Sequence, residues 1–290
     1  MILFLQLLAG GLQLGALYAL TAVGFSLIFG ATRVFHVAHG STFTLAGYVF
    51  LDGVNRGWGW PAAIAASIAA AVAFGVAMER LVYRPIQRSD GSFFTVFVAS
   101  FGVVIVVQSF IELVFGRGFV SIGTSLTKAV EVVPGLYIAP VFWVSIGVAA
   151  ILFAARGLLM GRTNVGIALR ALAQNPDLLR AYGLSSSRLS MFVFALGSAL
   201  VVPAAVLTAA TSGLQPTVGA HLMLISLAAT IVGGVGSLWG AAVAGIMLGI
   251  AENLAVGIIN PQWSAAASFV VLFAFILFRP HGLFGKPVLR

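Results

Sequence analysis

The sequence predicts an all-α membrane protein, a bundle of helices that crosses the bilayer about eight or nine times. Composition is the first observation: the 290-residue chain is 61% hydrophobic and only 8% charged, whereas soluble domains carry roughly 25% charged residues. Apolar runs recur along the whole chain, and the basic residues lie in the connectors between them. Because these runs continue from end to end, residues 1–290 are predicted to form a single transmembrane domain.

Eight apolar runs have about the length that a spanning helix needs, roughly 20 residues. They are Ile2–Phe29, Pro61–Tyr83, Phe93–Phe115, Pro140–Leu159, Met191–Ala210, Val218–Val232, Ala241–Ile259 and Ser264–Phe278. A ninth segment, Ala38–Leu51, is short and polar at its start, so it either crosses obliquely or re-enters. The first run has neither a basic leader nor a small-residue cleavage site, which favours a retained helix over a cleaved signal peptide.

The positions of Lys and Arg predict the direction of the bundle. They concentrate in connectors 80–88 and 156–188 and in the tail from residue 279, and cytoplasmic connectors are enriched in these residues. Connector 116–139 is nearly balanced and is predicted to lie outside. With nine spans the N-terminus is periplasmic and the C-terminus cytoplasmic. The net charge of +8 is then a topology signal, and no basic face with interleaved aromatic residues indicates nucleic-acid binding.

The long cytoplasmic connector, residues 161–188, is predicted to contain two short helices. Gly166–Gln174 forms the first helix. Asn175, Pro176 and Asp177 then supply an N-cap, a first-position proline and a first-turn acid for the second. Gly183 is typical of the residue that follows a helix C-terminus. These residues alone leave open whether the pair is an ordinary connector or a docking element.

Glycine is abundant, with 34 residues, and stretch 233–240 is too rich in glycine for a regular helix. We expect a break there between two helical pieces. Broken helices occur in membranes where the backbone lies inside protein. A second break is expected near residues 37–41, and the two together suggest an inverted repeat.

Motifs for catalysis and for nucleotide or metal binding are absent from the sequence. It contains neither a P-loop nor a dinucleotide fingerprint, and no nucleophile elbow. His36 and His39 have no third ligand nearby, which favours a packed or cavity-facing pair over a metal site. The lack of cysteine excludes disulfides and thiolate chemistry. We therefore predict no enzymatic activity, no catalytic residue, no metal and no cofactor.

Carboxylates within predicted spans are candidate functional residues, because their burial is costly without a partner. Glu79 is predicted to pair with a neighbouring arginine. Glu112 lies one turn after Gln108, on the same helix face. Glu252 is open to two interpretations: it either ties helices together or faces a transport path.

Five motifs, in order along the chain, carry a resemblance to a known family. They are Val34–Gly40, Glu79–Ile86, Gly166–Pro176 with Gly183, Gly233–Gly240 followed by Gly249–Glu252, and the tail Arg279–Gly285. Together they resemble the first of the two membrane permeases of branched-chain amino acid ABC importers, over essentially the whole chain. His36 and Ser41 depart from the family pattern, which has Asn and often an acidic residue there, so urea, short amides and other small polar solutes are alternative substrates.

The resemblance implies a permease subunit in a bacterial inner membrane that works by ATP-driven alternating access without an ATPase of its own. The implied partners are a second permease subunit, two cytoplasmic ATP-binding subunits and an extracytoplasmic solute-binding protein, with membrane lipid around the bundle. Segment 161–188 then resembles the element that couples the bundle to the ATPase. Its coupling residues would be Arg170, Ala171, Ala173, Asn175, Pro176, Asp177 and Gly183.

Residues of the two predicted breaks, with Glu252, are the candidates for lining a transport path. They are His36, His39, Ser41, Thr42, Gly233, Gly234, Gly236, Ser237 and Glu252. An autonomous secondary transporter or channel is the alternative function, and it would need its own ion-coupling site. An intramembrane enzyme would need converging catalytic groups around His36 and His39.

Overall fold

The computed structural model describes residues 2–89, 91–258, 263–279 and 281–285, and these form a helical bundle. Its helices are α1 (Ile2–Thr32), α2 (His39–Asn55), α3 (Trp60–Ala77), α4 (Arg84–Arg88), α5 (Phe93–Phe115), α6 (Pro140–Arg162), α7 (Asn164–Gln174), α8 (Pro176–Ala181), α9 (Ser186–Thr211), α10 (Val218–Gly233), α11 (Leu238–Ile258) and α12 (Ser264–Phe278). The predicted all-α class is confirmed.

Two short features accompany the helices. A π-helical turn, Met78–Tyr83, joins α3 to α4 without interrupting the rod. Between α5 and α6 lie a 3₁₀ turn, Ser125–Thr127, and a hairpin of β1 (Val130–Val133) and β2 (Leu136–Ile138), which pair antiparallel. The hairpin strands are mostly exposed. The sequence therefore has no alternation of buried and exposed residues there from which the strands could be predicted.

Six helical segments in the described part of the chain are long and apolar enough to cross a bilayer. They are α1, the α3–α4 rod, α5, α6, α9 and α11, whereas α10 and the apolar part of α12 are shorter. Helix α2 has 17 residues, fewer than the roughly 20 of a complete span. Each predicted span has its helix, and the count of eight or nine is approximate. Ile259, Lys286 and Arg290 lie outside the described residues.

Helix α1 forms the centre of the bundle, and glycines determine how closely its neighbours approach. A Cβ atom added to Gly15 would lie 2.7 Å from the Cα atom of Ile246 on α11, and one added to Gly24 would lie 2.8 Å from the carbonyl oxygen of Gly197 on α9. Small residues allow this backbone contact between membrane helices. Accordingly, residues of α1 from Ala16 to Ile28 are buried on all sides.

The glycine contacts are reciprocal between two halves of the chain. Gly24 of α1 faces Gly197 of α9, and Gly40 of α2 faces Gly219 of α10, with each backbone against the other. Helix α1 thus makes backbone contact with α9, and α2 with α10, through a glycine of each helix. The non-helical segments 33–38 and 212–217 directly precede α2 and α10. The inverted repeat that the breaks near 37–41 and 233–240 suggest stays a prediction.

We predict that Gly219→Ala lowers the stability of the chain by about 1–3 kcal/mol, the usual cost of overpacking a close contact. The added methyl group would overlap the backbone of Gly40 and the Thr44 hydroxyl. Gly102→Ala on α5 is the control, because an added Cβ atom meets nothing within 4 Å there. Thermal denaturation of the detergent-solubilised chain measures both, and equal melting temperatures would contradict the prediction.

Candidate functional site

The non-helical segment 33–38 is held in the bundle by side chains from distant helices. Nδ1 of His36 lies 2.7 Å from the Tyr83 hydroxyl, which lies 2.8 Å from Oγ of Ser100. Ser100 Oγ also accepts a hydrogen bond from the backbone N–H of Ala38, at 2.9 Å. Because a buried backbone group without a partner is costly, this chain of contacts is what allows the segment to leave the helical conformation inside the protein.

His39 connects the start of α2 to the middle of α1. Its Nε2 lies 3.2 Å from the carbonyl oxygen of Thr21, and Thr21 Oγ1 accepts a hydrogen bond from Ser226 of α10 at 2.9 Å. Gly24 leaves room for the imidazole ring. The rings of His36 and His39 lie 5.7 Å apart, and the described residues contain no group of three or more potential metal ligands. Both rings are buried, which favours the packed arrangement over the cavity-facing one among the two that the sequence left open.

Glu252 is the centre of a second polar cluster. The Tyr18 hydroxyl donates to its Oε2 at 3.0 Å, and the Ser268 hydroxyl donates to the same oxygen at 3.3 Å. Nε2 of His221 lies 4.0 Å from Oε1. One carboxylate therefore joins α1, α10, α11 and α12. Of the two interpretations of Glu252, the contacts favour the one in which it ties helices together.

The predicted path residues of the first break lie inside the subunit in this conformation. His36, His39 and Thr42 are at most 1% exposed. Ser41, at 4% exposed, instead lines a small cavity of about 10 Å³, together with Thr44, Gln108 and Pro216. Gln108 Nε2 donates to Glu112 at 2.9 Å, as their spacing predicted. Ser41 is thus the member of this group that borders a cavity.

The glycine-rich break is present where predicted, since α10 ends at Gly233 and α11 begins at Leu238. Gly234 and Gly236 have φ angles of 98° and 82°, a left-handed conformation that favours glycine. The C-terminal tail packs on this break: the Leu283 N–H donates to the carbonyl oxygen of Val232 at 2.8 Å.

The two predicted groups of path residues contact different elements. His36 and His39 pack against the α3–α4 rod, α9 and the middle of α1. Gly236 instead lies beside Gly30, near the end of α1, and it shares a cleft with α7 residues. Ser237 caps α11, since its Oγ accepts from the N–H of Gly240 at 3.1 Å.

The predicted helix pair within 161–188 is present as α7 and α8. Asn175 Oδ1 accepts hydrogen bonds from the N–H groups of Asp177 and Leu178, at 3.1 and 2.9 Å, and Pro176 takes the first helical position. Gly183 has a φ of 76° and follows α8 as expected. Helix α7 begins at Asn164 rather than Gly166, because the Thr163 side chain accepts from the Gly166 N–H at 3.1 Å.

The pair has a buried face and an exposed face. Leu169 and Leu172 of α7 are buried. On the outside, Ile167 is 57% exposed and Tyr182 is 79% exposed. They border an apolar groove of about 270 Å³ between the two helices, with Asn164, Ala168, Ala171, Gln174, Asn175, Leu178, Leu179 and Leu184.

The predicted coupling residues divide between the two faces. Ala171 and Asn175 line the groove, whereas Arg170 and Ala173 line a cleft on the opposite side, against α1 and α6. Asp177 forms an exposed ion pair with Arg180. The sequence motif is therefore a mixture of groove residues, capping residues and residues that face the bundle.

Glu79 is not paired as predicted. It is 3% exposed and lines a cleft of about 450 Å³ with Arg84, Arg88 and Arg180. No arginine pairs with it among the ion pairs of the described residues. The cleft shows instead that the two basic connectors, at the ends of α4 and α8, meet on one side of the bundle.

Comparison with known proteins places the chain in a family. Residues 7–278 match the family described as the permease component of the branched-chain amino acid transport system. The chain belongs to this family. The predicted membership, the helical transmembrane bundle and the role as a transport permease are thus confirmed, and a transporter subunit agrees with the prediction that the chain is not an enzyme.

Two curated relatives align with this permease-family chain over nearly its full length. The high-affinity branched-chain amino acid transport system permease protein LivH of Escherichia coli (strain K12) is 27% identical over 304 residues, which cover 98% of this chain and 96% of LivH. The corresponding permease protein BraD of Pseudomonas aeruginosa is 29% identical over 300 residues, again 98% and 96%.

A solved structure shares the fold of the permease-family chain. It is that of PsaBC from Streptococcus pneumoniae in complex with Fab, at a TM-score of 0.54 and 12% identity, covering 96% of this chain and 92% of that one. At this identity the likeness concerns the fold alone.

We predict that Tyr83→Phe destabilises the chain by about 1–3 kcal/mol, the cost of leaving buried polar groups without a partner. The change removes the hydroxyl that lies between His36 and Ser100. Tyr137→Phe is the matched control, since Tyr137 is 49% exposed. Thermal denaturation in detergent compares the two, and an unchanged melting temperature for Tyr83→Phe would show that the hydroxyl contributes nothing.

Proposed function

We propose that the chain is one of two permease subunits of an ATP-driven importer for branched-chain amino acids or related small polar solutes such as urea and short amides. Family membership supports the permease role, and the names of LivH and BraD support the solute class. The partners are a second permease, two cytoplasmic ATP-binding subunits and an extracytoplasmic solute-binding protein.

The exposed apolar groove on the α7–α8 pair is the observation that carries the coupling role. Large apolar side chains such as Ile167 and Leu178, at 57% and 54% exposed, gather on soluble surfaces mainly where a partner covers them. Because α7 is fixed to the bundle through Leu169 and Leu172, a displacement of the groove moves the helix as a rigid body. ATP binding then biases an inward–outward equilibrium through differential contacts at this groove.

The positions of the basic residues support a cytoplasmic location for the pair. Arg84 and Arg88 share a cleft with Arg180, so both basic connectors lie on the side of the bundle that carries α8. By the positive-inside rule this side faces the cytoplasm. The C-terminus lies there too, the N-terminus is periplasmic, and the membrane is the bacterial inner membrane.

The transport path runs between this chain and the second permease, along α5. Helix α5 presents large exposed apolar side chains, including Phe101, Ile105 and Phe110, and the cavity at Ser41 lies between α5 and the starts of α2 and α10. Ser41 borders the path, while His36, His39 and Thr42 lie behind it and fix the start of α2. The turn between α10 and α11 moves with α7 and contains Gly233, Gly234, Gly236 and Ser237. Glu252 ties α11 to α1 and α12.

We predict that Ile167→Asp abolishes co-purification of the ATP-binding subunits while membrane insertion is retained, because a carboxylate in the groove must be desolvated on docking. Val165→Asp is the matched control: Val165 is also on α7, is 40% exposed, and is not among the groove residues. Affinity purification from membranes measures both variants. Retained co-purification with Ile167→Asp would exclude the groove as the docking site.

We also predict that leucine uptake into proteoliposomes containing both permeases and the binding protein requires the ATP-binding subunits and ATP. The alternative, an autonomous secondary transporter or channel, predicts uptake that persists without them. Omitting the ATP-binding subunits is the experiment, with empty liposomes as the background. Persistent uptake would favour the alternative, whereas ATP-dependent uptake of urea and not of leucine would change only the solute.

A further inference from the structure

Arg156 is a buried cation without a counterion in the described part of the chain. It lies on α6 and is 5% exposed. None of the ion pairs there includes it, and its Nε and Nη2 atoms have no hydrogen-bond acceptor among those residues. An uncompensated buried charge costs several kcal/mol, so an anion in contact with the guanidinium would stabilise the chain.

The guanidinium faces two adjacent spaces. The first, a small cavity of about 20 Å³, lies between α1, α6 and α11 and is bordered by Phe153, Gly157 and Trp239. The second, of about 180 Å³, reaches α7 and Gly236. Arg156 lines both spaces, and we call them together the Arg156 cleft.

The second space adds another cation and leaves room for a ligand. Arg170 of α7 lines it, and Nη1 of Arg170 also donates to the carbonyl oxygen of Met160. Gly30, Ala31 and Ala173 are small residues on the opposing walls. Two guanidinium groups at a concave site favour a phosphate group, which arginine binds through paired hydrogen bonds.

The surroundings of the cleft indicate that this phosphate belongs to a lipid. Helix α6 presents Ile151 and Leu158 to the outside, at 69% and 54% exposed. Trp239, at the border of the cleft, is 62% exposed, and tryptophan is enriched where membrane proteins meet the headgroup layer. Apolar chains can therefore extend along the bundle while the headgroup reaches Arg156.

We propose that the Arg156 cleft binds the phosphate group of an anionic membrane phospholipid, with Arg156 as its principal ligand. The lipid would supply the missing counterion. It would also lie between α6 and α7, where it stabilises the attachment of α7 to the bundle. The proposal depends on the membrane location and is independent of the solute that the importer carries.

Native mass spectrometry of the full chain, delipidated in detergent, tests the proposal. The probes are phosphatidylglycerol, phosphatidylcholine and inorganic phosphate. We expect phosphatidylglycerol to bind at least about tenfold more tightly than phosphatidylcholine, and Arg156→Gln to remove that preference. Arg156→Lys should retain much of it, because the charge remains. Arg162→Gln, on the same helix but exposed, is the matched control and should bind as the unaltered chain does.

Three outcomes would overturn the proposal. Unchanged phosphatidylglycerol affinity in Arg156→Gln would exclude Arg156 as the ligand, and full competition by millimolar inorganic phosphate would exclude a lipid-specific site. If Arg156→Gln does not fold, Ala173→Leu retains both arginines and reduces the second space, which Ala173 lines. Normal phosphatidylglycerol binding by folded Ala173→Leu would equally contradict the proposal.

Discussion

Backbone contact at glycines is the constraint on which the rest of this bundle depends. Lipid gives membrane helices little hydrophobic reason to associate, so close packing has to supply much of the attraction. Gly15 and Gly24 bring α1 against α11 and α9, and Gly40 and Gly219 bring the starts of α2 and α10 together. Two non-helical segments, 33–38 and 212–217, lie beside these crossings, directly before α2 and α10.

Because the helices pack closely, polar groups of segment 33–38 such as the His36 side chain are buried inside the bundle and need hydrogen-bond partners. A chain that leaves the helical conformation inside a membrane bundle needs partners for its backbone. In segment 33–38 the Ser100 hydroxyl accepts from the Ala38 N–H, and Tyr83 lies between Ser100 and the His36 side chain. His36 therefore helps to hold the non-helical segment 33–38 in place. If α2 moves, the contacts of Tyr83 and Ser100 with segment 33–38 must be preserved or exchanged. Movement of this segment is therefore coupled to the α3–α4 rod, which carries Tyr83.

Helices α7 and α8 are locally well defined, and they also expose an apolar groove. The caps at Thr163 and Asn175 define both helices locally, and the apolar groove between them has no cover within the described residues. Behind α7 lies the buried Arg156. The same helix thus has an exposed apolar groove on one side and a cleft lined by Arg156 and Arg170 on the other, so the two proposed binding events involve one rigid element.

The sequence by itself determined the helical class, the spans, the caps at Asn175 and Pro176 and the break after Gly233, because short-range chemistry and hydrophobic length control these features. Family motifs added the permease role. Only the tertiary structure decided that Glu79 shares a cleft with three arginines without an ion pair among the described residues, that Arg156 is buried, and that Ser100 holds segment 33–38. Such features depend on contacts between distant positions, such as Ala38 and Ser100, which are 62 residues apart. The local pattern around either residue carries no signal of the other.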